Sequence, residues 1–320
     1  MIIQRFLLVL LPILLIGCSD ISSNFTTLNR VGLLLEDTID DQGWNNKGYQ
    51  GLLNIHSNLN VDVVFKEDMN TEEKVKKAVE SFVADGVNLI FGHGRFFSEH
   101  FTDLGKSYPD VHFVSFNGDV QGDNVTSLHF DSYAMGYFAG MVAAAMSETG
   151  DVGAIAAHDW QPEVEGFHDG ASLSGTKAKV HLKFVKDWTD SDTALSYFED
   201  LKRSGVDVFY PAGDGYHLDL IEEIRNEGLY AIGFVGDQSD LGESTVLTST
   251  VQHVDYLYEL VAEQFTKNEL GNGNLRFDFK DGVISLGNFS SRVPEDIQIQ
   301  IKDAVRQYIE TGELPTEAIK

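Results

Sequence analysis

Val31-Gly32-Leu33-Leu34-Leu35 is an unbroken apolar run, followed after the loop Asp37-Thr38-Ile39-Asp40-Asp41-Gln42-Gly43 by a helical stretch from Trp44 to His56. A strand with one wet face alternates apolar and polar residues; an unbroken run is buried on both faces, as in a parallel sheet covered by helices. The unit recurs. Val61 to Phe65 precedes a helix over Thr71 to Ala84, which Thr71 starts with Glu72 and Glu73 behind it and Gly86 stops. Leu89 to Phe91 precedes Phe96 to Lys106, and Phe113 to Phe116 closes the series. Val125 to Phe130 and a small-residue-rich helix, Tyr133 to Met146, interrupt the alternation; the glycines at 136 and 140 read as sites of close helix packing. A second βα series follows through Val152 to Ala156, Val164 to Ser172, Val180 to Val185, Thr193 to Arg203, Val206 to Tyr210, Leu218 to Asn226 and Tyr230 to Phe234. The tail adds a strand, Val283 to Leu286, and an amphipathic helix, Glu295 to Glu310, opened by Val293-Pro294.

The fold class is therefore α/β: two doubly wound parallel-sheet lobes with a ligand cleft between them, at the carboxyl ends of the strands where open sheets bind. The expected division gives residues 30–130 with about 250–282 to the N-terminal lobe, and 131–249 with about 283–320 to the other.

Upstream of the first strand, residues 19 to 29 are polar without apolar period and read as a flexible tether. Before them Phe6 to Ile16 is apolar, follows Arg5 and leads into Leu15-Ile16-Gly17-Cys18. Eleven residues fall short of the roughly 20 that span a bilayer and fit a secretory signal. Residues 1–17 are expected to be removed, leaving Cys18 to carry a thioether-linked lipid beside the small Gly17. Two acyl chains, at about 0.8 kcal/mol per buried methylene, then hold the protein on the outer face of the plasma membrane. The competing reading is a buried cysteine that happens to follow an apolar start.

Composition removes several function classes. The net charge is −27, and becomes −28 once Arg5 leaves with the signal, with 22 basic residues against 50 acidic. Such a chain repels phosphate backbones, so nucleic acid is not an expected partner. Cys18 is the only cysteine, which excludes a disulfide framework, a thiolate metal site and a thiol nucleophile. The ten histidines show no H-E-x-x-H; His158-Asp159 and His168-Asp169 are adjacent pairs and read as surface residues. Gly213-Asp214-Gly215 has no third glycine, no G-x-x-x-x-G-K-[ST] occurs, and Gly170-Ala171-Ser172-Leu173-Ser174 lacks the closing glycine of a nucleophile elbow. Neither catalysis nor a cofactor is expected.

What remains is binding. The loop after the first strand puts Asp37, Asp40 and Asp41 next to Trp44 and Asn45, acids for hydroxyl or amino donors and an indole for a flat face. The plainer alternative makes Asp40 or Asp41 a helix cap, with Trp44 packed on its own lobe. Trp188, after the strand 180–185, holds the equivalent place in the other lobe, where it is either the second half of an aromatic clamp or a core residue. Stacking of a base on an aromatic ring is worth about 1–3 kcal/mol. Trp160 and Gly213 join the candidate set on this second wall.

The cysteine signal, the acidic loop ending Gly43-Trp44-Asn45 with Gly51 behind it, Asp131 to Gly140, Gly205-Val206-Asp207-Val208 leading to Ala212-Gly213, and Gly236-Asp237-Gln238 together resemble the basic membrane protein family. Those are lipoproteins similar to the purine-nucleoside receptor of bacterial ABC transporters, with a type I periplasmic-binding fold, and the resemblance covers nearly the whole mature chain. It implies a nucleobase between Trp44 and Trp188, with Asp37 and Asn45 near the base, Asp131 near ribose hydroxyls, and Asp237 in the same cleft. Two positions depart from the receptor pattern: Val235 stands where an acid is common and Gln252 where a lysine is usual. Each removes a charged hydrogen bond worth about 1.5–3 kcal/mol. Tyr210 to Tyr216 and Asp237 to Glu243 match more closely a branch of lipoproteins that are positive regulators of competence genes. Two functions follow as expectations. One is a monomeric solute-binding lipoprotein that passes a nucleoside-like ligand to an ABC permease. The other is a surface regulator read by a membrane sensor, acting on competence genes indirectly and without DNA contact.

Overall fold

The computed structural model describes residues 26–41, 43–173, 175, 176 and 178–317. Cys18, the signal and the tether up to residue 25 lie outside the described residues, as does the side chain of Asp41. Thr26 to Asn29 are not free tether. The Thr26 N–H donates to Thr266 O at 3.1 Å, and Asn88 bonds the backbone of Thr27 and Asn29 at 2.7 and 2.9 Å.

The first lobe begins with β1 (Arg30–Leu35), α1 (Trp44–Leu59), β2 (Asp62–Lys66), α2 (Glu72–Ala84), β3 (Leu89–His93), α3 (Phe96–Ser107), β4 (His112–Phe116) and β5 (Val125–Phe130). The unbroken run in β1 has the cause expected of it. Leu33 and Leu35 enter one core cluster and Leu34 the other, on opposite faces of the sheet, all with no exposed surface. Gly32 must be glycine because a Cβ there would lie 2.6 Å from the Phe82 ring of α2. Thr71 caps α2 by accepting the Lys74 N–H at 3.4 Å, and Gly86 at φ +80° turns the chain out.

The second lobe comprises α4 (Ser132–Met146), β6 (Asp151–Ala156), α5 (Pro162–Ala171), β7 (Lys179–Phe184), α6 (Ser191–Arg203), β8 (Val208–Ala212), α7 (Tyr216–Asn226), β9 (Tyr230–Gly233) and β10 (Val246–Gln252). The chain then returns to the first lobe with α8 (Val254–Thr266), packed on α1, and β11 (Gly273–Phe277), before ending in the second with β12 (Ile284–Leu286) and α9 (Glu295–Thr311). One sheet runs β11-β5-β4-β3-β1-β2, parallel throughout; the other runs β12-β10-β9-β8-β6-β7, with β12 alone antiparallel. The two orders correspond strand for strand, so the molecule is a α/β fold built twice. The glycines of α4 serve close packing, as expected: a Cβ on Gly136 or Gly140 would lie 1.8 or 2.2 Å from the α5 carbonyls of Glu163 or Phe167.

Proline is rare in a central strand because it donates no ladder hydrogen bond. Pro211 is tolerated in β8 because β9 pairs with that strand only at Val208 and Phe209, so no ladder bond is asked of residue 211 on that side.

Candidate functional site

The carboxyl ends of the two sheets carry the residues that face one another. On the first wall, Trp44 opens α1 and stacks on His93 from the end of β3, with ring centroids 4.2 Å apart and planes at 18°. His93 is 1 % exposed and pinned at both nitrogens, Nε2 against Trp44 O at 2.7 Å and Nδ1 against the Tyr258 hydroxyl of α8 at 2.9 Å. Phe116 and Phe130 meet the indole edge-on at 5.7 and 6.3 Å. The ring is therefore held rigidly and remains partly exposed. Asn45 is buried and Asp37 is exposed. Glu36, which the sequence reading passed over, has its carboxyl raised above the usual range, first by burial and then by the charge of Asp37. Asp131 stands at the start of α4; its N–H donates to Phe277 O at 2.8 Å, and its side chain makes no capping bond.

On the second wall, Trp188 and Trp160 meet at 5.9 Å and 69°, and His158 stacks on Trp160 at 5.1 Å and 12°. Trp160 is 51 % exposed, a large apolar surface left open at the cleft mouth. Its loop is held from beneath by Gln161, 2 % exposed, whose amide bonds the His158 N–H, the Ala212 carbonyl and the Glu163 carboxylate at 2.7–3.1 Å. Trp44 and Trp188 make no ring contact with each other; each belongs to the aromatic group of its own lobe.

The remaining candidates serve the walls themselves. Gly213 is buried against Tyr216, whose ring a Cβ would strike at 1.9 Å. Asp237 is spent on the backbone and side-chain amides of Asn288, at 3.0 and 2.7 Å, and on the Ser239 N–H, so it fixes the loop after β9 to that after β12.

The walls touch. The alternative cap from Asp40 is not made: Gly43 is the N-cap of α1 with no side-chain cap bond, and the Trp44 N–H donates instead to Asp214 Oδ2, on the opposite lobe, at 3.3 Å. A Cβ on Gly43 would lie 1.9 Å from the other Asp214 oxygen. The carboxylate thus sits on the positive end of α1, where a helix favours an anion. Arg95, just before α3, lies 5.2 Å above the Trp160 ring. The roles of Asp214 and Arg95 depend on the wall opposite and carry no local sequence signal; His158, expected as a surface residue, instead backs Trp160 on its own wall. Among the described residues no helix is long and apolar enough to cross a membrane.

Comparison with known proteins agrees with this architecture. The family model described as "ABC transporter substrate-binding protein PnrA-like" matches residues 28–318. The transcriptional activator protein Med of Bacillus subtilis is 49 % identical over 303 residues, 95 % of each chain. The crystal structure of a transcriptional activator of the comK gene from Bacillus halodurans superposes with a TM-score of 0.86 at 58 % identity, covering 90 % of this chain and all of that one. A purine-binding protein of Brucella abortus is 23 % identical over 290 residues, 89 % of this chain and 82 % of its own. The twice-built sheet, the walls at its strand ends and the family match over nearly the whole described chain lead to one statement: this protein belongs to the Bmp family of PnrA-like ABC transporter substrate-binding proteins.

Proposed function

We propose that this chain is a lipid-anchored binding protein on the outer face of the plasma membrane, monomeric, whose cleft closes on a nucleoside-like small ligand. The observation that carries the reading is the pairing of two rigid aromatic walls, Trp44 on His93 and Trp160 with Trp188, joined across the cleft by the Trp44–Asp214 hydrogen bond. Rings held in place lose little entropy when they stack on a ligand, so the binding energy is kept. The purine-binding relative supports a base-like ligand, and the family description supports an ABC permease as the partner. Cys18 supplies the anchor in this reading.

The readout has a second reading, favoured by the names of the relatives at 49 % and 58 % identity: a positive regulator of competence gene expression. On a surface of charge −27 that action is indirect, through a membrane sensor that reads the ligand state.

Titration with purine and pyrimidine nucleosides, followed by tryptophan fluorescence, tests the cleft; the response is expected in the native chain and lost in Trp44→Ala. Silence across the panel contradicts a nucleoside-like ligand. For the anchor, Cys18→Ala is expected to abolish lipid labelling and release the protein from membranes; unchanged fractionation removes that claim.

A further inference from the structure

Lys47 stands on α1 one turn after Trp44, partly buried, and among the described residues it has no carboxylate within ion-pair distance. Lys77, Lys106, Lys186, Lys202 and Lys267 each lie 2.6–2.9 Å from a carboxylate, whereas Lys47, like Lys66 and Lys76, is left without one among the described residues. Lys47 points instead across the cleft. A methyl group on Gly236, in the loop after β9, would lie 3.8 Å from its Cε and Nζ.

The loop it meets is strained. Val235 holds φ +64°, and the Gly236 N–H donates back to Phe234 O at 2.8 Å, a tight three-residue turn that a β-branched residue rarely enters. Backbone strain of this kind, about 1–3 kcal/mol, collects where a site needs it. Among the described residues the N–H groups of Val235 and Asp237 donate to no protein acceptor. Gln252 closes the same corner. Its own N–H donates to Val235 O at 3.0 Å, while its side chain is 8 % exposed and its amide bonds no protein group among the described residues. The Gln252 amide and the Lys47 ammonium are thus left available to a bound group, which would gain charge-assisted hydrogen bonds from them.

A point-charge ammonium, an amide donor and unspent backbone N–H groups at a turn are what a phosphate takes; a planar carboxylate is better met by the fork of an arginine. We infer that Lys47, Gln252 and the Val235–Asp237 turn form a phosphate-recognising subsite, so that the cleft takes a phosphorylated small molecule with its ring at Trp44 and its phosphate one helical turn away. The inference rests on the cleft-binding reading above. The acidic surface does not oppose it, because charges beyond about 8 Å are screened at physiological salt while Lys47 is in contact.

Calorimetric titration of the full chain with adenosine, guanosine and their 5′-monophosphates tests it. The native protein is expected to bind a monophosphate at least about ten-fold tighter than its nucleoside, the equivalent of one charge-assisted hydrogen bond. Lys47→Met and Gln252→Leu should each shrink that ratio, Lys47→Arg should keep most of it, and raising NaCl from about 50 to about 500 mM should erode it in the native chain only. Binding of nucleosides with no phosphate preference, or a preference indifferent to Lys47→Met, overturns the subsite and leaves the cleft reading standing. Binding of neither class overturns both.

Discussion

Gly43→Ala should break the contact between the lobes without touching either core. The new Cβ would stand 1.9 Å from Asp214 Oδ1, where ordinary contact begins near 3.4 Å, so the carboxylate must retreat by about 1.5 Å. The 3.3 Å hydrogen bond from the Trp44 N–H to Oδ2 does not survive that movement. A charge-assisted bond is worth about 1.5–3 kcal/mol, and a carboxylate at a helix N-terminus adds up to about 1. This bond is long and its partners are partly exposed, so we expect the loss to be about 1–2 kcal/mol, a factor of about 5–30 in equilibrium. Urea unfolding of Gly43→Ala, Asp214→Ala and the double variant measures it, with solution scattering as a second readout of lobe separation. Because removing the Asp214 carboxylate also removes the clash, the double variant should be no less stable than Asp214→Ala alone, giving a coupling of about 1–2 kcal/mol. Additivity within about 0.5 kcal/mol would show that the two residues do not meet and would refute the reasoning.

Gly136→Ala places a Cβ 1.8 Å from the Glu163 carbonyl and forces α4 and α5 apart; a loss of about 1–3 kcal/mol is expected, seen as a lower urea midpoint at unchanged slope. Tyr258→Phe takes the hydroxyl from His93 Nδ1 in a buried site and should cost about 1–3 kcal/mol, with a change in Trp44 emission because His93 backs its ring. Burial holds His112 neutral and pushes its pKa down from 6.5 to about 4, so between those values the unfolded chain binds the extra proton. Stability should therefore be full above pH 6.5 and fall as pH drops toward 4, by on the order of 3 kcal/mol at most, and His112→Gln should flatten that part of the profile.

The βα series was legible because its strands are apolar runs and its helices carry their own starts and stops, as Thr71 and Gly86 do for α2. β10 was missed, and its reason is chemical. In Val-Leu-Thr-Ser-Thr-Val-Gln three consecutive hydroxyl residues break the apolar run, yet all seven residues are buried. Its hydroxyls are spent inside: Thr248 on Gly287 O, Thr250 on Gly233 O, and Ser249 accepting the Gln238 N–H, each at 3.0 Å. Short β11 went unseen as well. In the site, Trp44 and Trp188 announced themselves as indoles after strands, but sequence could not tell that Trp188 pairs with Trp160, or that Asp237 is consumed by Asn288. Lys47, Asp214 and Arg95 carry no local signal at all; each matters for what lies across the cleft.

A cleft with two rigid aromatic walls should hold a small molecule. Native mass spectrometry of the full-length protein, gently extracted from its own membranes, tests it most directly. One ligand mass per chain is expected on the native protein, reduced or absent on Trp44→Ala purified in parallel. A bare polypeptide mass in both preparations, persisting after incubation with nucleosides and their monophosphates, would contradict it.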